Sequence, residues 1–266
     1  MTILDEAPGL LEALRGEMTP KFLASRNSAG VPNVVPVITI SPAEDQPDTL
    51  IFGNFLLRKT INNLNQDTRV GILVITQDLH GWVLRGDFVE FQRTGPYVDR
   101  LMSGSLLRYN AYTGIRNAGV IRVRELRGSF AIPRLQVARD FLLARLATLG
   151  GAGRDETSVV IPAPVLREYA RMVAVKVLAW VAEDGYPTVV PALSLQPAGQ
   201  GRLLCRKGDG RLGHPPVGAT VASNILTFEA VSYQAKGRWS EKGTTGSIQV
   251  QEVYAGGPPL PGGRIA

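Results

Sequence analysis

The chain alternates between two rhythms of apolar residues. Strict alternation or short runs rich in Val and Ile mark strands, and three- to four-residue spacing marks helices. Leu10, Leu11 and Leu14 set a short opening helix within residues 5–18. The segment KFLASRNSAGVPNVVPVITIS then reads as strand, turn, strand, with Ser28-Ala29-Gly30 as the turn, and DTLIFGN (48–54) reads as a third strand. The period changes in LLRKTINNLNQD (56–67), where Leu57, Ile61 and Leu64 share one helical face. TRVGILVITQD (68–78) and HGWVLRGDFVEFQRT (80–94) read as a long hairpin, 96–118 as helical and irregular, and 119–132 as an exposed-edge strand. The first unit is therefore expected to run β-β-β-α-β-β-α-β.

Residues 133–151 give the clearest helical pattern, with Pro133 in its first turn and Gly150-Gly151 as its stop. GAGRDETS follows as a linker. From residue 161 the first unit's order of elements returns: strand, glycine turn, strand, then GRLLCRK, GATVASN, ILTFEAVSYQAKGRW and GSIQVQEVY. The heptapeptide GVPNVVP (30–36) also returns as GYPTVVP (185–191). A shared heptapeptide inside a shared order of elements points to a duplicated fold. The expected organisation is a first unit over 1–132, helix and linker over 133–160, a second unit over 161–256 and a flexible tail over 257–266. The copies differ between their third and fourth strands, where the second has GDGRLGHPPV, too rich in Gly and Pro for more than one helical turn.

Composition narrows the function. Hydrophobic residues make up 44% and charged residues 20% of the 266, enough for a substantial core and against global disorder. One cysteine, Cys205, and two histidines, His80 and His214, exclude an intrachain disulfide and a Cys/His metal cage. The N-terminus lacks the basic start and apolar core of a secretory signal, and no apolar run reaches membrane-spanning length, so a cytoplasmic protein is expected. The net charge of +6 favours anionic partners such as phosphate-bearing cofactors, while the scattering of Lys and Arg argues against a nucleic-acid surface.

One stretch carries chemistry. In FGNFLLRKTINNLNQDTRV, Gly53 and Asn54 end a strand, and Arg58, Lys59 and Thr60 open a helix. Two cations, a hydroxyl and backbone N–H groups make a phosphate site, whereas an isolated R-K-T is more often a solvated helix start. There is no Walker loop or dinucleotide fingerprint, no nucleophile with a base beside it and no carboxylate pair, so no catalytic residue is assigned.

The run G-V-P…VVPV…LIFGN…RKTINNLNQDTRVGILV…GWVLRGDFVEF resembles the FMN-binding split barrel of the pyridoxamine 5′-phosphate oxidase-like superfamily, over about residues 20–94 with 119–132 as the closing strand. The resemblance implies a mainly β fold with short helices: two split barrels in tandem, forming an intrachain pseudo-dimer joined by a helical linker. It implies FMN as cofactor, with Val35, Pro36, Val37 and Ile38 along the flavin and Gly53 and Asn54 at the ribityl-phosphate region. Arg58, Lys59 and Thr60 would hold the phosphate, and Trp82 would lie near the isoalloxazine edge, though Trp82 equally suits a core.

Two departures matter. True oxidases of that family carry an arginine where Val35 stands and a Trp/Arg-rich C-terminus, and this chain ends GGPPLPGGRIA. The haem-degrading branch uses histidine near iron, and neither His80 nor His214 suits that. Arg206, Lys207 and Arg211 leave some positive charge in the second unit without a helix, so that unit reads as a degenerate copy. The expected function is flavin redox chemistry on a small molecule, with NAD(P)H as candidate donor. A non-catalytic flavin carrier or sensor, a deazaflavin-dependent reductase and a ligand-free basic interaction module are the alternatives, and a homodimer stays open.

Overall fold

A computed structural model describes residues 2–55, 57–104, 114–148, 159–208, 212–256 and 262–266. The expected helix stop at Gly150-Gly151, most of the linker and Arg211 lie outside the described residues.

Residues 21–131 form an antiparallel sheet of β1 (Lys21–Arg26), β2 (Pro32–Pro36), β3 (Ser41–Pro42), β4 (Thr49–Gly53), β5 (Arg69–Ile75), β6 (His80–Gln92) and β7 (Ala118–Ala131). Their spatial order is β2-β1-β5-β6-β7-β4-β3. The second sheet contains β8 (Val175–Val181), β9 (Pro187–Pro191), β10 (Gln196–Pro197), β11 (Arg202–Arg206), β12 (Thr220–Leu226), β13 (Ser232–Lys242) and β14 (Thr245–Ala255). Its order is β10-β11-β14-β13-β12-β8-β9. Read from its far end, this is the first order with each strand replaced by its counterpart. The register agrees in detail. Phe22 pairs with Pro36 as Val177 pairs with Pro191, and both β6 and β13 carry a bulge just before the glycine that follows a cation, at Arg85/Gly86 and Lys236/Gly237.

The two sheets lock together through the repeated heptapeptide. Phe22, Ala24, Val34, Leu73 and Val83 share one buried cluster with Val177, Ala179, Val189, Ala222 and Leu226. Gly71 lets β5 approach β9 so closely that a Cβ there would lie 2.2 Å from the Pro187 carbonyl oxygen. Polar ties cross the same seam. Gln234 donates to the Val34 carbonyl at 2.5 Å, Tyr186 to Asp87 at 2.9 Å, and Arg85 pairs with Asp184.

The helices are short. Leu10–Arg15 buries Leu10, Ala13 and Leu14, as the spacing of the leucines predicts, although it is shorter than 5–18. Arg58–Leu64 and Pro96–Ser103 follow, and Arg134–Thr148 is the longest. The linker helix docks on the second sheet, where Ala144 packs with Ala198 and Leu204 and the Phe141 carbonyl accepts from Gln196 at 2.8 Å. The helix Ala163–Tyr169 was not expected from sequence, because its Pro-rich start resembles a linker. The tail also departs from expectation. Residues 262–266 pair with β14 rather than trailing free, with Val253 donating to the Ala266 carbonyl and accepting from Ile265, each at 2.8 Å. No described helix is long and apolar enough to cross a membrane.

Candidate functional site

A cavity of about 360 Å³ lies where the two sheets meet. One wall comes from the first sheet: Val35, Pro36, Val37 and Ile38 run along it, Gly53 sits behind, and Arg58, Lys59 and Thr60 close one end. The opposite wall belongs to the second sheet and its tail, with Asn224, Ser232, Gln234, Tyr254 and Gly262. Eight of the ten residues singled out in the sequence thus line one space. The other two are elsewhere. Asn54 is buried, its N–H bonded to the Asn117 carbonyl at 3.0 Å and its Oδ1 without a hydrogen-bond partner. Trp82 packs into the core of the first sheet with Leu10 and Leu14, its ring against Gly9.

Local structure explains the convergence. The turn at Asn27–Val31 needs Gly30 at φ 75°, and it returns the chain so that β2 runs along the seam. Strand β4 ends at Gly53, where a Cβ would lie 2.8 Å from Ile115. The helix Arg58–Leu64 then turns back with Thr60 and Asn63 inward, and Asn63 donates to Ser25 at 3.1 Å. With only seven residues, the helix serves to place side chains. Asn33 donates to the Thr60 hydroxyl oxygen at 3.2 Å, which leaves the hydroxyl hydrogen to donate toward the cavity.

The charged end holds residues that sequence reasoning missed. Lys59 Nζ lies 3.3 Å from the centroid of the Tyr254 ring, and Lys236 Nζ lies 5.7 Å from the same ring. Lys236 is 4% exposed. Burial, then the field of Lys59, pushes its ammonium down to about 7, and burial also lowers Lys59. Glu252 is the nearby carboxylate, but it accepts from the Tyr254 hydroxyl at 2.7 Å and faces Arg264 at 3.5 Å. Burial and that carboxylate raise the Tyr254 hydroxyl. None of the described ion pairs includes Lys59 or Lys236. The cavity is therefore neutral and apolar along its length and short of negative charge at one end.

A second crevice beside the seam is lined by Val83, Arg85, Arg127, Trp180, Thr188 and the segment Leu212–His214, but not by Val190–Leu193, the counterparts of Val35–Ile38. The described residues there contain no helix corresponding to Arg58–Leu64. Its cations already have partners: Arg85 with Asp184, and Arg127 with Glu125 at 2.9 Å.

No family model matches this chain, and neither does any curated protein. Among solved structures it is similar to an FMN-binding protein from Syntrophomonas wolfei subsp. wolfei, at 17% identity and TM-score 0.40 over 50% of this chain and 88% of that one. It is also similar to HupZ of Group A Streptococcus, at 18% identity and TM-score 0.36 over 44% of this chain and 87% of that one. General Stress Protein 26 from Bacillus anthracis str. Sterne matches at 12% identity and TM-score 0.34, over 47% of this chain and 94% of that one.

Proposed function

We propose that this chain is an FMN-binding flavoprotein of the split-barrel kind, holding one FMN in the crevice that ends at Lys59 and acting as an oxidoreductase on a small molecule. The observation that carries the reading is the joint placement of Val35–Ile38 and Arg58–Thr60 on one cavity wall, with amides and a tyrosine facing them. An elongated, largely apolar slot with a cation-rich end suits a flat ring bearing a phosphate tail, and its volume lies in the usual range for ligand sites.

The residues present fit that group. Arg58, Lys59 and the Thr60 hydroxyl would bind the phosphate, Val35 to Ile38 would cover one face of the ring, and Asn224 and Gln234 offer amides from the opposite wall. When bound, FMN supplies two-electron chemistry with a reduced donor such as NAD(P)H. The chain orients it and excludes water. No described side chain forms a nucleophile–base pair at the cavity, so the chemistry rests with the cofactor.

The test is a parallel titration of the apoprotein with FMN, riboflavin and a deazaflavin, followed by anaerobic addition of NAD(P)H. FMN should bind at least tenfold more tightly than riboflavin, since charge-assisted hydrogen bonds are worth about 1.5–3 kcal/mol each. Bleaching by NAD(P)H distinguishes an oxidoreductase from a carrier. Equal affinity for FMN and riboflavin would refute phosphate anchoring, and preference for the deazaflavin would change the cofactor.

A further inference from the structure

Lys236 belongs to the second sheet, yet its amine lies beside Lys59 of the first and 5.7 Å from the ring of Tyr254, two residues that line the end of the crevice. Its counterpart by register is Arg85: Lys236 stands opposite Ala222 in β12 as Arg85 stands opposite Gly71 in β5, each just before a bulge and a glycine. Arg85 already has a counter-charge within the fold in Asp184, and it donates to the Thr188 hydroxyl at 3.0 Å. Lys236 meets no such carboxylate. The charged or titratable groups facing it are Lys59 from the helix Arg58–Leu64, Tyr254 and Glu252 from β14, and Arg264 from the tail, whose field reaches Lys59. Two amines lie near the ring of one tyrosine, and Glu252 is already bonded to that tyrosine's hydroxyl.

We propose that Lys236 is a second cation of the phosphate site, supplied across the seam, and that a phosphate dianion bound at Lys59 draws a proton onto it. The inference rests on the phosphate-binding reading of the crevice and adds a residue and a linkage to it. In the ligand-free chain, burial and the neighbouring Lys59 hold the Lys236 amine at about 7, so above that pH it is mostly neutral and can accept from the Lys59 ammonium. A dianion placed between the two amines offsets their repulsion and favours both charges. Binding then takes up protons in the window above 7, and phosphate affinity falls as pH rises through it.

The experiment is calorimetric titration of the full chain at about pH 8 in two phosphate-free buffers of different ionisation enthalpy, with FMN, riboflavin and inorganic phosphate as separate ligands. Uptake should approach one proton per FMN or phosphate and be near zero for riboflavin, because an amine near 7 starts largely neutral at that pH. Lys236→Met should abolish the uptake and weaken FMN at least tenfold while leaving riboflavin unchanged. Lys236→Arg should keep FMN affinity and lose the uptake, since a guanidinium stays charged and the counterpart position already holds one. Wild-type uptake that persists in Lys236→Met overturns the proposal, as does the absence of uptake with both phosphate ligands. Lys236-dependent uptake with phosphate, alongside equal binding of FMN and riboflavin, supports the proposal and overturns the flavin reading alone.

Discussion

Lys21 and Lys176 are the same position in the two sheets, and only one of them is satisfied. Lys21 stands opposite Val74 and its carbonyl accepts from Val37 at 2.7 Å; Lys176 stands opposite Ile225 and its carbonyl accepts from Ala192 at 2.7 Å. Lys21 Nζ donates to the carbonyls of Gly16 and Ile38 at 2.7 and 3.1 Å. Lys176 Nζ, fully buried, has no hydrogen-bond partner and lies 4.9 Å from the centroid of the Phe141 ring. The second copy lacks the carbonyl arrangement that the first builds around its lysine.

Burial lowers Lys176 to about 7 from the ordinary 10.5. A lysine whose folded value is depressed binds fewer protons folded than unfolded between those two pH values, so its destabilising effect is full below 7 and lifts as pH rises toward 10.5. Lys176→Met should therefore raise stability at neutral pH by about 1–3 kcal/mol, the usual cost of a buried unsatisfied polar group. Denaturant melts at pH 6 and pH 9 check this: the gain over wild type should be larger at pH 6. A loss of stability at both would mean the Phe141 contact outweighs burial.

Arg58→Ala with Lys59→Ala should weaken FMN at least tenfold, each lost cation being worth on the order of 1.5 kcal/mol. The melting temperature of the ligand-free chain should scarcely change, because Arg58 is exposed and Lys59 only half-buried. Arg206→Ala with Lys207→Ala should leave FMN binding intact: Lys207 is engaged with Glu241 at 2.6 Å and Arg206 with Thr244. Flavin fluorescence titration reads both variants, and the reverse pattern would assign the phosphate to the other sheet.

These residues show what a linear reading can reach. Arg58, Lys59 and Thr60 are consecutive, and the strand run from Val35 is distinctive, so half of the crevice was legible. Asn224, Gln234, Lys236 and Tyr254 sit in β12, β13 and β14, where they look like ordinary polar positions of alternating strands. Only the pairing of the two sheets brings them opposite Lys59. The strands β3 and β10, two residues each, are too short for any periodicity to register. For Trp82 the resemblance suggests the flavin edge and the residue suits a core equally; the fold gives its ring a place beneath the opening helix, a choice between the two that local sequence does not carry.

The seam itself can be probed at Gly71. A methyl there would press on the Pro187 carbonyl oxygen at 2.2 Å, and backbone cannot swing aside as a side chain can. The counterpart position in the second sheet holds Ala222, which already carries its methyl. Gly71→Ala should cost about 1–3 kcal/mol, typical of overpacking. FMN affinity should fall with it, because the crevice needs both walls. A variant melting at the wild-type temperature would show the seam to be loose.

The stoichiometry should be one FMN per chain. Duplication leaves a second crevice beside the seam, so two sites are conceivable. Charge separates them. In the first, Lys59 and Lys236 lie together beside a tyrosine in none of the described ion pairs, and a dianion relieves their repulsion. In the second, Asp184 and Glu125 already answer Arg85 and Arg127, so an incoming phosphate would have to displace internal partners. Arg85 is buried although Asp184 is exposed, so taking Asp184 away leaves a buried guanidinium short of its counter-charge. Flavin released per mole of saturated protein is the measurement, with a ratio near one expected. Asp184→Asn would strip Arg85 of its carboxylate and is the substitution best suited to opening the second crevice. If wild type already releases two flavins, matched charge does not close that crevice, and the asymmetry between the sheets has no bearing on binding.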